Sequence, residues 1–155
     1  LKLFSILNNV DINQENIDQI GKQMLVLMIE EKLQYEQMES YEISVNESEI
    51  NNYIDRAFLS EEMGINKLTA SLKNNNINIK ILKKTIEIAL GWNKLANRLY
   101  LRSSRINPLE LENAMKKDAS LSKQEAENML LQKQILLRAT KLLRDIKAEA
   151  NIENR

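Results

Sequence analysis

The residue types that most often carry out catalysis are missing from this sequence. It contains no His and no Cys, which excludes cysteine nucleophiles, histidine general bases, Ser-His-Asp triads and zinc sites built on either residue. Acid–base chemistry would rest on its carboxylates, but no group of Asp and Glu residues shows the spacing of metal ligands. The three glycines are isolated, so no glycine-rich phosphate-binding loop is present. We therefore expect no enzymatic activity, no cofactor and no metal in this chain.

Several carboxylates are instead placed at helix starts. The stretches "VNESEINNYI" (45–54) and "INPLELENAM" (106–115) both read apolar, Asn, two variable residues, Glu, apolar. An N-cap Asn accepts a hydrogen bond from the first helical turn, and a Glu three residues later can bond back to the N–H of the cap. The pattern predicts capping boxes that pair Asn46 with Glu49 and Asn107 with Glu110. A third helix start follows at "SKQEAENML".

Composition predicts an all-α fold. The chain has 155 residues, enough for one domain with a core, and its 43% hydrophobic content comes with only three Gly and one Pro. We predict a single helical bundle of about six helices. The formal net charge is zero and no basic patch is concentrated in the sequence, so we expect no nucleic-acid partner. The apolar run "MLVLMI" is too short to span a bilayer.

Helical periodicity and turn residues place the elements along the chain. Gly64 is expected to end the second helix, and Asn76 to adopt a left-handed turn conformation. The final "ANIENR" alternates apolar and polar residues at Ala150 and Ile152, which predicts one short terminal strand. The predicted helices cover residues 14–40, 46–63, 66–74, 79–102, 107–117 and 123–148.

Two of these helices, over residues 14–40 and 79–102, are expected to be largely buried, and the second has two neighbouring apolar stripes that make a wide arc. The helix over residues 14–40 is apolar all round from Met24 to Ile29, which predicts that it is the central helix. The last helix is amphipathic and would be marginal alone, so we expect it to pack back on the N-terminal helices. Its predicted inward side chains are Met129, Leu130, Leu136, Leu137, Leu143 and Ile146.

The order of these signals resembles the N-terminal domain of SurA-type periplasmic chaperones. The resemblance is carried by "MLVLMIEEKL", by "ISVNESEI", by Gly64 with Leu68 and Leu72, by the turn "NIN" (76–78) and by the repeated helix start at 106–111. The end of the chain, from "LSKQEAENML" to "ANIENR", is similar to the C-terminal segment of the same family. The resemblance implies that residues 1–117 and 123–155 complete one domain, joined by a link at 118–122.

Two of the departures from the family pattern bear most directly on fold and activity. Glu42 stands where the family usually has Gly, so we expect another geometry for the turn after the first long helix. In the family a parvulin-type prolyl isomerase domain is inserted where this chain has only residues 118–122. That domain is naturally absent, was deleted or is missing from this sequence, and no prolyl isomerase activity is expected. Because the chain begins at Leu1 rather than Met, we also expect that a preceding targeting segment, tag or other stretch is not included.

The resemblance implies a periplasmic holdase that binds unfolded outer-membrane polypeptides. Such binding requires apolar surface that is left exposed, and adaptable Met side chains suit varied partners. The alternatives are that these side chains fill the core, and that the chain is a helical structural or adaptor protein with one fixed partner. A cleavable signal peptide upstream would favour the chaperone. The residues expected to contact the peptide are Phe58, Met63, Trp92, Tyr100 and Met115.

Overall fold

The computed structural model describes Leu3, residues 12–59 and residues 65–153. The helices are α1 (Ile17–Ser40), α2 (Glu47–Leu59), α3 (Ile65–Asn74), α4 (Ile79–Tyr100), α5 (Pro108–Lys117) and α6 (Lys123–Glu153). One turn of 3-10 helix, Leu101–Ser103, follows α4. No strand occurs within the described ranges. For the described residues, the all-α class and the prediction of about six helices are therefore confirmed.

The predicted C-terminal strand is wrong, because α6 continues through Ala150 to Glu153. No Gly or Pro interrupts residues 123–155, and Ala and Glu are good helix formers, so the helical hydrogen bonds simply extend. Two alternating apolar residues are too short a pattern to oppose this. The expected end of the second helix near Met63 and Gly64 lies outside the described residues.

The chain groups into two compact units, Leu1–Trp92 and Asn93–Arg155, and each is described by itself. In the first unit, Ile50 and Ile54 on α2 form a core cluster with Leu72 on α3 and with Leu82 and Ile86 on α4. Full burial of an aliphatic side chain of this size contributes about 1.5–3 kcal/mol. The cluster is completed by half-buried apolar residues that include Val45, Ile77, Ile79 and Leu90.

Helices α1 and α3 end in the same backbone motif. Glu42 (φ 54°) and Asn76 (φ 55°) are left-handed, and the next residue in each case bonds back into the helix. Ile43 N–H donates to the Met38 carbonyl and Ile77 N–H to the Leu72 carbonyl, both at 2.8 Å, which is the Schellman pattern. The left-handed Asn76 is confirmed. The expectation of a different geometry at Glu42 is wrong, because the glutamate adopts the conformation that glycine would take.

Helix α4, and not α1, contributes the most buried residues. Only Ile20 and Met38 are buried on α1. At Gly91, a Cβ atom would lie 2.6 Å from the Met38 Sδ, so α1 and α4 approach closely there. The two neighbouring apolar stripes of α4 give it a wide inward arc, as its periodicity predicts. The buried apolar residues of α4 are Leu82, Ile86, Ile88, Trp92, Leu95 and Ala96.

In the second unit, α6 packs against α5 and against the chain that precedes α5. Arg138 Nη1 donates to the Ser103 hydroxyl at 2.7 Å, and its guanidinium lies 5.9 Å from the centre of the Tyr100 ring. Gln134 Nε2 donates to the Arg105 carbonyl at 2.9 Å. The prediction that the C-terminal helix packs back onto helical residues of the 1–117 segment is confirmed by these contacts.

The inward side of α6 differs from the predicted single stripe. Ala126 and Leu130 are buried near its start, and Ile135 and Ala139 further along. The two pairs are nine positions apart, which is two and a half turns, so they lie on opposite sides of the helix. A single stripe cannot describe that arrangement. Of the predicted inward residues, Leu130 is buried, Leu143 and Ile146 are half-buried, and Met129, Leu136 and Leu137 are exposed.

Candidate functional site

The middle of α1 exposes a run of large apolar side chains, which we name the apolar segment, Leu25–Ile29. Its five residues are between 42% and 61% exposed. Five consecutive residues of a helix cover its whole circumference, since each is rotated by about 100°. The prediction that this segment is the buried centre of the fold is therefore wrong. Periodicity correctly identifies a helix that needs partners on all sides, but it does not say whether this chain supplies them.

The two buried residues of α1 define the outward side of the helix. Ile20 and Met38 are eighteen positions apart, which is five complete turns, so both lie on the inner side. Ile29 is nine positions from each of them and therefore lies on the opposite side. Tyr35 contacts α4, because the Lys84 ammonium lies 3.8 Å from the centre of its ring. The side of α1 that carries Ile29 thus points away from the contacts that hold α1 in the first unit.

The second unit contains an open groove of about 440 Å³, lined by Ser103, Arg105, Gln134, Leu137 and Arg138. Hydrogen bonds from Gln134 and Arg138 to residues 103 and 105 join the two sides of the groove. Leu137 is 62% exposed, and it adds an apolar side chain to a lining that also includes Arg105 and Arg138. The sequence did not indicate this groove, because its two sides are about thirty residues apart in the chain.

The five residues predicted to contact a peptide are placed in different parts of the chain. Trp92 is only 8% exposed in the first unit, which leaves little of its ring for a ligand. Tyr100 and Met115 are half-buried in the second unit, and the Arg138 guanidinium lies 5.9 Å from the centre of the Tyr100 ring. Phe58 belongs to α2, although its side chain, like the whole of Met63, lies outside the described residues. Their role in binding remains a prediction.

No family model matches this chain. No curated protein and no solved structure matches it either. Within residues 12–59 and 65–153, no helix has the length and apolarity needed to cross a membrane. The same residues contain no group of three or more Asp and Glu side chains arranged to hold a metal ion.

The shifted carboxylates belong to helix ends and not to the apolar segment or the groove. A hydrogen bond from Lys83, at 2.9 Å, and its positive charge lower the pKa of Glu47. Hydrogen bonds from the hydroxyl and the N–H of Ser120 lower the pKa of Asp118, and those of Ser122 lower the pKa of Glu125. These carboxylates are stabilised as anions by an ion pair at Glu47, by turn hydrogen bonds at Asp118 and by a capping box at Glu125. The two candidate surfaces therefore offer binding through apolar side chains and arginine.

Proposed function

We propose that this chain is a holdase of the SurA type that binds unfolded outer-membrane polypeptides in the periplasm. The observation that carries the proposal is the apolar segment, five consecutive exposed side chains on a helix that is otherwise anchored through Ile20 and Met38. Exposed apolar surface of this kind marks sites of interaction with other chains. The resemblance in the order of helix starts supplies the class of client and the compartment.

The size of the segment suits weak and reversible binding. Its side chains are already about half covered, so covering the remainder would contribute on the order of 1 kcal/mol each. Ordering of the client opposes a large part of that sum. A holdase must release its clients, and modest affinity per site meets this requirement. Met28, which is 61% exposed, adds a flexible side chain that can adapt to different sequences.

The test is suppression of aggregation, measured by light scattering. An unfolded outer-membrane barrel protein is diluted from urea into buffer with increasing amounts of the chain. We expect suppression by the wild type and a loss of at least half of it in the double variant Leu25→Gln, Met28→Gln. The matched control is Tyr53→Gln, Ile81→Gln, which removes apolar side chains of similar exposure, 47% and 54%, from α2 and α4. Equal suppression by both variants would refute the role of the apolar segment.

The breadth of binding separates a holdase from an adaptor. A holdase should suppress aggregation of several unrelated unfolded barrel proteins, whereas an adaptor with one fixed partner should suppress none of them. The proposed location is tested by fractionation of cells that express the natural gene.

We also propose that this chain has no prolyl isomerase activity. A protease-coupled assay on a proline peptide should show only the slow spontaneous isomerisation, with a parvulin as the positive control.

A further inference from the structure

The outward side of α1 carries a pattern that is complementary to itself. Five residues on this side, Lys22, Leu25, Ile29, Leu33 and Glu36, are separated by three, four, four and three positions. The spacing is the same when it is read backwards, and Ile29 lies at its centre. Among these five residues, the apolar side chains Leu25 and Leu33 are also symmetric about Ile29. The charge reverses from one end of the pattern to the other, with Lys at the start and Glu at the end.

We propose that α1 pairs with α1 of a second copy of this chain, antiparallel, about a twofold axis at Ile29. In this register Ile29 meets Ile29 of the other copy, and Leu25 meets Leu33. Lys22 meets Glu36 twice, once at each end, as an isologous interface requires. The proposal deepens the proposed function and rests on it in one respect: the second copy covers part of the same apolar segment, so self-association regulates access to it.

Charge selects the antiparallel orientation. A parallel pair would place Lys22 beside Lys22 and Glu36 beside Glu36, whereas the antiparallel pair joins opposite charges at both ends. Glu36 already bonds to Lys32 of its own helix at 3.0 Å, and its side chain is 49% exposed. A carboxylate has acceptor sites for both lysines.

The exposure of the side chains permits this contact. Leu25 is 58% exposed and Ile29 is 46% exposed, and Leu33 is half-buried. The interface is small, which predicts weak and concentration-dependent pairing.

Cross-linking is the direct test, because the chain contains no cysteine of its own. We expect Ile29→Cys to form a disulfide-linked dimer under mild oxidation, at least about fivefold faster than Ile81→Cys, a control of similar exposure on α4. A mixture of Leu25→Cys and Leu33→Cys should cross-link faster than either variant alone, which a parallel pair would reverse. Equal rates for Ile29→Cys and Ile81→Cys would overturn the proposal.

Charge reversal tests the register of the α1 pair. The dimer dissociation constant is measured by sedimentation equilibrium on the full chain, with no introduced cysteine. Lys22→Glu should raise the dimer dissociation constant by at least about threefold at low salt, because two attractions become two repulsions. Adding Glu36→Lys should restore the affinity. A wild type that stays monomeric at high concentration, or a double variant no tighter than Lys22→Glu, would overturn the pairing.

Client binding is measured separately, at dilutions where the wild type is monomeric. A wild type that never dimerises but still suppresses client aggregation would reject the pairing alone. Cross-linking at Ile29→Cys without any client suppression would reject the proposed function alone. If the proposed function and the pairing are both right, an unfolded client should compete with the second copy for the apolar segment. It should then slow the cross-linking of Ile29→Cys and leave that of Ile81→Cys unchanged.

Discussion

At Glu42 the chain places a side chain with a Cβ atom where the backbone is left-handed, at φ 54°. The left-handed conformation costs a residue with a Cβ atom roughly 1–2 kcal/mol. Replacing Glu42 by glycine removes this cost, but the greater freedom of glycine in the unfolded chain cancels part of the stabilisation. We expect Glu42→Gly to raise the free energy of unfolding by about 0.5–1 kcal/mol in urea denaturation. Glu39→Gly, three residues earlier within α1, is the control and should lower it by a similar amount. A destabilising Glu42→Gly would contradict the Schellman geometry.

Another residue-scale prediction concerns the capping box at the start of α6. The Ser122 hydroxyl and N–H both donate to Glu125 Oε2, at 2.7 and 2.8 Å, and lower the pKa of Glu125 below its ordinary value of 4.5. A lowered folded pKa stabilises the protein above the ordinary value, and this contribution is lost as pH falls through the lowered one.

We therefore expect Ser122→Ala to raise the Glu125 pKa in an NMR titration of the carboxyl groups. Its unfolding free energy should also fall less steeply than that of the wild type as pH decreases below about 4.5. Ser48→Ala, in the first turn of α2, is the control and should leave the Glu125 pKa unchanged. An unchanged pKa in Ser122→Ala would show that the hydroxyl does not hold the carboxylate.

At the scale of elements, α6 provides a sharp contrast between neighbouring residues. Ile135 is 3% exposed and Leu136 is 61% exposed. We expect Ile135→Ala to lower the free energy of unfolding by about 2–5 kcal/mol, because it leaves a cavity. Leu136→Ala removes a largely exposed side chain and should change it by less than about 1 kcal/mol. Urea denaturation of both variants measures the two losses of free energy. A larger loss in Leu136→Ala than in Ile135→Ala would support the inward side predicted from the sequence.

The glycines of α1 and α4 give a second prediction at this scale. A Cβ atom at Gly21 would meet nothing within 4 Å, whereas one at Gly91 would meet the buried Met38 side chain. Gly21→Ala should stabilise the protein by about 0.5–1 kcal/mol through helix propensity. Gly91→Ala should lose most of this gain, because the buried Met38 side chain must shift to admit the added methyl group. The melting temperature should be lower in Gly91→Ala than in Gly21→Ala, and equal increases in the two variants would contradict the close approach at Met38.

At the scale of the whole molecule, the second unit depends on its last helix. Deleting residues 123–155 removes the buried side chains of α6 and the bonds from Gln134 and Arg138 to the 103–105 loop. We expect the 1–122 fragment to bind more of a hydrophobic dye and to aggregate at lower temperature than the full chain. As a control, a full chain cut within the exposed residues 118–120 should remain associated. A soluble fragment that unfolds as cooperatively and as late as the full chain would contradict this dependence.

Local chemistry allowed the helix starts to be predicted from the sequence. Asn46 and Glu49 exchange the predicted pair of hydrogen bonds, both at 3.0 Å. Asn107 also caps its helix. Its Oδ1 accepts from Leu109 N–H at 3.0 Å rather than from the N–H of the predicted partner Glu110. The capping box with the most hydrogen bonds joins Ser122 and Glu125, where the sequence analysis predicted only a helix start. These interactions join residues at most three positions apart, so nothing outside the stretch is needed to predict them.

The burial of each helix face was decided only by the tertiary structure. The sequence by itself determined that the chain is helical, where five of the six helices begin to within one residue, and that Met24–Ile29 is apolar all round. It did not determine that this run would be exposed, or that α6 would bury opposite sides at two points along its length. Periodicity states which residues can share a face, but burial depends on packing partners that are distant in the chain. The candidate binding surface is visible only because α1 is anchored at Ile20 and Met38 and is left uncovered between them.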